Sequence, residues 1–204
     1  MATMEGVDDS TPVIVGVGTL THRQPRGADL SAAPTPIALM ATAVQRALAD
    51  TGVGAADMRS LREHVDTVAT VQMLMENRVP APHRPLYKNP PASVAREAGL
   101  TRVVRHYETT TGGQSPQLAV NELAERISNG ESDAAVVVGA EAIATFTRAL
   151  LSGYTLGADH QASTERRKVL PWGDSPGGAP IQLGYPMDYK ISTRIGRAHG
   201  VHTA

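Results

Sequence analysis

The residues of greatest chemical interest in this 204-residue chain lie where an apolar run gives way to a helical pattern. Tyr107-Glu108-Thr109-Thr110-Thr111-Gly112-Gly113-Gln114-Ser115-Pro116-Gln117-Leu118-Ala119-Val120-Asn121 reads as a strand, a sharp turn at Gly112-Gly113, and a helix. Such a turn aims the first helical residues at the carboxyl edge of a sheet, where free backbone N–H groups and the helix dipole gather. A nucleophile there has its anion stabilised, and a bound carbonyl oxygen finds donors. Gly112, Gly113, Gln114 and Ser115 are therefore the candidate substrate-binding residues. Ser115 reads as the helix N-cap, and as a nucleophile it has no base near it in sequence. No catalytic residue is assigned with it. Gly113 reads as a turn glycine able to take a positive φ.

Other candidates are weaker. The chain contains no cysteine, which excludes disulfides, cysteine metal sites and thiolate catalysis. Seven histidines are scattered at His22, His64, His83, His106, His160, His199 and His202. Only His199 and His202 stand at i and i+3, and a pair lacks a third ligand, so no metal site is expected. Gly16 and Gly18 do not begin a dinucleotide fingerprint, because Thr19-Leu20-Thr21 supplies neither the third glycine nor a helix. Glu141, at the end of an apolar run, reads as pairing with backbone or an arginine, or as a polar site residue.

The elements that would position these residues follow from periodicity. Pro12-Val13-Ile14-Val15-Gly16-Val17-Gly18 reads as a buried parallel-type strand. Residues 20–36 are a loop. Thr35-Pro36 opens a helix with Thr35 as N-cap, and Ile37, Met40, Ala41, Val44, Ala47 and Leu48 form its buried stripe. Val65-Asp66-Thr67-Val68-Ala69-Thr70-Val71 reads as a second strand and 77–91, rich in proline, as an irregular excursion. Residues 93–98 form a short helix closed by Gly99, and 102–109 a third strand. The helix after Gly113 turns Val120, Leu123, Ala124 and Ile127 inward and ends at Asn129-Gly130. Residues 134–139 form a fourth buried strand, and 153–184 an excursion rather than more sheet. Alternating strands and helices imply an α/β fold with a mainly parallel sheet covered by helices. The expected organisation is an α/β domain over 12–146 and a loop lobe or excursion over 147–204.

Composition sets the outer limits. With 41% hydrophobic and 19% charged residues the chain can build an ordinary core, and with 3% aromatics that core must be aliphatic. The net charge of −1 gives no footprint for nucleic acid or an anionic membrane. Residues 1–10 carry Glu5, Asp8 and Asp9 without an apolar run, so the expectation is a cytoplasmic protein with neither signal peptide nor membrane span.

The strand-turn-helix stretch is followed by Gly130-Glu131-Ser132-Asp133 and a strand ending in Gly139-Ala140-Glu141. In this order and spacing, with the opening 12–18 run and the helix at Thr35-Pro36, the chain resembles the thiolase superfamily. It is most similar to the acetyl-CoA acetyltransferases related to sterol carrier protein 2 thiolase, over 12–146. The resemblance implies the amino-terminal half of the thiolase fold, acyl transfer or Claisen condensation on coenzyme A thioesters, and no bound cofactor. The family's nucleophilic cysteine stands two residues before the serine of this helix, a position held here by Gly113. Its remaining catalytic groups, an Asn-Glu-Ala-Phe run, a Gly-His-Pro run and a second cysteine, are not found in this sequence. The resemblance thus implies an acyltransferase-family protein inactive as a thiolase, with Gly113 leaving room for an acyl thioester. The alternatives are a thiolase-like aldolase subunit cleaving acyl-CoA by a retro-aldol step with an OB-fold partner, or a non-catalytic acyl-CoA-binding scaffold. It also implies a homodimer or a second subunit, joined through the nucleophile strand at 102–109.

Overall fold

Four parallel strands in the order β3-β1-β2-β6 form the sheet around which the described part of the molecule is arranged. They are β1 (Val65–Thr70), β2 (Arg105–Thr109), β3 (Ala134–Val138) and β6 (Ile181–Leu183). Two further two-residue strands, β4 (Thr155–Leu156) and β5 (Val169–Leu170), pair with each other. The computed structural model describes Asp8 and residues 10–74, 87–110, 112–153, 155–156, 169–170 and 180–183. Most of the expected 77–91 excursion, together with His83, His160, His199 and His202, lies outside these residues.

Helix α1 (Pro36–Asp50) forms as its cap predicts. Thr35 Oγ1 accepts from Ala38 N at 3.1 Å, and Pro36 occupies a first-turn position that needs no N–H donor. Ile37, Met40, Ala41, Val44 and Leu48 are buried along one face. Helix α2 (Met58–His64), which the periodicity did not single out, leads directly into β1. Helix α3 (Pro90–Ala98) is capped by Asn89, whose side chain accepts from Ala92 N, so it begins three residues before the expected start. Helix α4 (Ser115–Ser128) follows β2, and helix α5 (Ile143–Leu151) follows β3. The domain boundary expected after Phe146 falls inside α5.

The sheet separates two cores. On one face α1 and α3 enclose Val44, Val65, Val68, Val94, Leu100 and Val138. On the other, α4 covers Ala69, Tyr107, Ala119, Leu123 and Leu183. Val68 and Ala69 are adjacent in β1 and face opposite ways, as the two-residue strand period demands. Each fully buried aliphatic side chain of this kind contributes about 1.5–3 kcal/mol relative to exposure.

Four expectations need correction. The 12–18 run is not a strand of the sheet, and Val13, Ile14, Val15 and Val17 are 62%, 78%, 64% and 66% exposed. Both neighbours of β1 are already taken by β2 and β3. The run lies instead along α1, with Gly16 and Gly18 pressed so close that an added Cβ would collide with the carbonyl oxygens of Ala47 and Ala43. Val17 N fixes it by donating to Asp50 Oδ2 at 2.9 Å.

The second correction concerns β2, which starts only at Arg105 and leaves Val104 69% exposed. It is also not an open edge, because Tyr107, Glu108 and Thr109 stand in register with Ile181, Gln182 and Leu183. Part of the 153–184 excursion is thus sheet. Third, β3 is a half-buried edge strand, since only β1 pairs with it among the described residues. Fourth, α4 turns Ser115, Ala119 and Leu123 inward and leaves Val120 exposed. The buried face follows the four-residue spacing from Ser115, one step round from the stripe expected through Val120.

Candidate functional site

The connection from β1 to β2 carries α3 on one face of the sheet, and the connection from β2 to β3 carries α4 on the other. The loops leaving β1 and β2 therefore diverge at their carboxyl ends, the place where open α/β sheets hold ligands. Gln72 N, just past β1, donates to Thr109 Oγ1 at the end of β2 at 3.3 Å and ties the two loops together.

Gly112 to Ser115 lie at this edge, in the turn from β2 into α4. Gly112 is half-buried, Gly113 and Gln114 are exposed, and Ser115 is buried. Two of the sequence expectations change here. Ser115 is the first helical residue rather than the cap. Gln114 holds the cap position without a side-chain cap bond, and Ser115 Oγ donates backwards to the Thr110 carbonyl at 2.5 Å. A hydroxyl engaged in that bond is a structural clasp that holds the turn. Gly113 is not a glycine that the backbone demands. Its φ is not positive, and a Cβ built on it meets nothing within 4 Å among the described residues.

Two cavities, each of about 440 Å³, open at the same edge. Val71, Gln72, Pro116 and Val137 line the first, on the α4 side. Thr19, Thr21, His22, Leu39 and Ala43 line the second, on the α1 side. Gly139, Ala140 and Glu141 form a wall of both. Glu141 Oε1 accepts from Leu74 N at 2.6 Å, joining the loop after β3 to the loop after β1. The sequence marked Glu141 but gave no reason to pair it with His22. Their shared cavity depends on the 18–22 segment folding over α1, and no local pattern encodes that.

The opposite edge is filled by a polar knot. Asp66, at the start of β1, accepts from Thr67 Oγ1 (2.7 Å), Ser132 Oγ (2.6 Å), Asp133 N (3.2 Å) and Arg105 Nη1 (3.1 Å). Burial pushes the carboxyl pKa up. The hydrogen bonds from Ser132, Thr67 and Asp133, with the charge of Arg105, outweigh that and hold it below the usual value. On β2, burial pulls the His106 pKa down.

Among the described residues no group of three or more His, Asp or Glu side chains could hold a metal ion, and no helix is long and apolar enough to cross a membrane. No family model, no curated relative and no solved structure matches the chain.

Proposed function

We propose that the chain is a thiolase-like protein that binds coenzyme A thioesters, related to the acetyl-CoA acetyltransferases, with Gly113 in the place of their nucleophile. The observation that carries this reading is the state of Gly113. It stands exposed in the turn that enters α4 at the carboxyl edge of the sheet, and neither backbone nor packing requires a glycine there. A Cβ at this position enters open space among the described residues, and its absence leaves the start of the helix open to a ligand. Cavities of this volume suit a small organic ligand.

The covalent acyl-enzyme of the family is closed to this chain, which has no cysteine and whose Ser115 hydroxyl is engaged. One observation favours the retro-aldol alternative as a second reading. Glu141 places a carboxylate, a potential proton acceptor, on the wall of both cavities. The homodimer or second subunit remains part of the proposal, supported now by the exposed Val13, Ile14, Val15 and Val17 rather than by the β2 edge.

Titration calorimetry with acetyl-CoA tests the reading. Heat of binding is expected below about 1 mM ligand, with coenzyme A-dependent cleavage of a 3-ketoacyl-CoA no faster than the no-enzyme control. Absence of binding at that concentration rejects the proposal, and cleavage lost in Ser115→Ala rejects the assignment of Ser115 as a clasp.

A further inference from the structure

Arginines gather about the loop that walls the second cavity. Residues 18–22 form one of its walls, and the same loop continues through Arg23 and Arg26. Two more guanidinium groups brace this loop. Arg46 of α1 donates through Nη1 to the Thr19 carbonyl at 2.6 Å. Arg148 of α5 donates to Gln24 Oε1 at 3.5 Å and to the Pro25 carbonyl at 3.3 Å.

Among the described residues, none of these four arginines forms a salt bridge; the ion pairs found involve Arg59, Arg105 and Arg126. The nearby carboxylates are engaged differently. Asp29 accepts from Ser31 N, Asp50 from Val17 N, and Glu141 from Leu74 N. These acids engage donors other than the four arginines, while Arg46 and Arg148 each spend one or two of five N–H groups, and on neutral acceptors. Four arginines without acidic partners, gathered about one loop of a chain whose net charge is −1, complement an anion supplied from outside.

We propose that the loop of residues 19–26, braced by Arg46 and Arg148, is a phosphate-binding rim at the mouth of the His22–Glu141 cavity. It takes the nucleotide diphosphate end of a coenzyme A thioester, whose thioester end lies toward Glu141. The identity of that ligand rests on the coenzyme A reading above; the phosphate site itself does not. The arrangement orients the ligand, since phosphate is drawn to the arginines and kept from the Glu141 carboxylate.

Arg23 and Arg26 are exposed, and among the described residues neither side chain forms a hydrogen bond or ion pair, so replacing them leaves the loop's internal bonds in place. The test is calorimetric titration of ADP and, separately, of acetyl-pantetheine into the unaltered protein and the double variant Arg23→Gln/Arg26→Gln. ADP is expected to bind the unaltered protein, more weakly as salt rises, and about tenfold more weakly to the variant. Acetyl-pantetheine is expected to bind both equally. ADP that does not bind, or binds both proteins alike, overturns the phosphate rim. ADP that binds as expected while acetyl-pantetheine does not bind leaves the rim standing and removes the coenzyme A reading.

Discussion

The two edges of the same sheet are built on opposite principles. At the amino edge, Asp66 gathers Thr67, Ser132, Asp133 N and Arg105 into a closed network. At the carboxyl edge, Glu141 accepts from Leu74 N, two cavities open beside it, and Gly113 leaves open space where a Cβ would stand. Buried polar groups that satisfy one another specify a fold and hold strands in register. Polar groups left facing a cavity have hydrogen-bonding capacity to give to a ligand. The difference points to stability at one edge and, under the proposed function, to ligand binding at the other.

The largest expected effect tests that division directly. Asp66→Ala strips the acceptor from three donors and leaves the half-buried Arg105 without its partner. A loss of about 3 kcal/mol in unfolding free energy is expected. Glu141→Gln keeps an acceptor oxygen for Leu74 N and should cost no more than about 1 kcal/mol. Urea unfolding of the two variants decides the matter. Equal losses, or the larger loss at Glu141, would break the comparison.

How far these edges could be read in the sequence depends on how local their causes are. Helix α1 was legible because its cap, its first-turn proline and its apolar stripe lie within a few residues of one another. The turn at Gly112-Gly113 was legible for the same reason. The valines of the 12–18 run announce a strand, whereas its place is decided by Gly16 and Gly18 meeting the backbone of a helix some thirty residues on. Strand β6 was missed because three residues suffice to pair with β2 and carry no periodic signal of their own. The candidate site divides likewise. Gly112 to Ser115 stand at the sheet edge where the local pattern puts them. Ser115 changed role because its hydroxyl reaches back to Thr110 instead of forward into the helix, a choice of direction that sequence does not express. His22 joined the site only through the same tertiary fold that displaced the 12–18 run.

A smaller effect, on pH dependence, separates the strands from the loops. Burial depresses the His106 pKa, so the folded protein takes up that proton at a lower pH than the unfolded chain, which binds it at the ordinary value of about 6.5. Its share of stability is complete above that value and declines as pH falls below it. The Asp66 carboxylate is also held below its ordinary value. Its contribution is present above about 3.9 and is lost as pH drops through the folded value. Urea midpoints should therefore begin to fall below about pH 6.5 in an upper stage, with a lower stage beginning below about 3.9. His106→Gln should remove the upper stage and leave the lower one. A variant that keeps both stages would place the upper titration elsewhere.

The smallest expected effect is the one most informative about the carboxyl edge. At Gly113 a Cβ enters open space, and the residue is not among the positive-φ glycines, so Gly113→Cys should change the unfolding free energy by no more than about 0.5 kcal/mol. Gly16→Ala is the contrasting case, because its Cβ must displace the Ala47 carbonyl. The new thiol at position 113 would stand exposed at the start of α4, where the helix dipole favours the thiolate. It should therefore react with iodoacetamide faster than a free cysteine at neutral pH. Thiolase activity should nonetheless remain absent, because the acid and base groups that the resemblance calls for are not found in this sequence. A Gly113→Cys protein that unfolds readily would show that the turn depends on glycine after all, and would remove the observation on which the coenzyme A reading stands. Ordinary stability with a slow-reacting thiol would leave the turn as described but show that the start of the helix does not stabilise an anion.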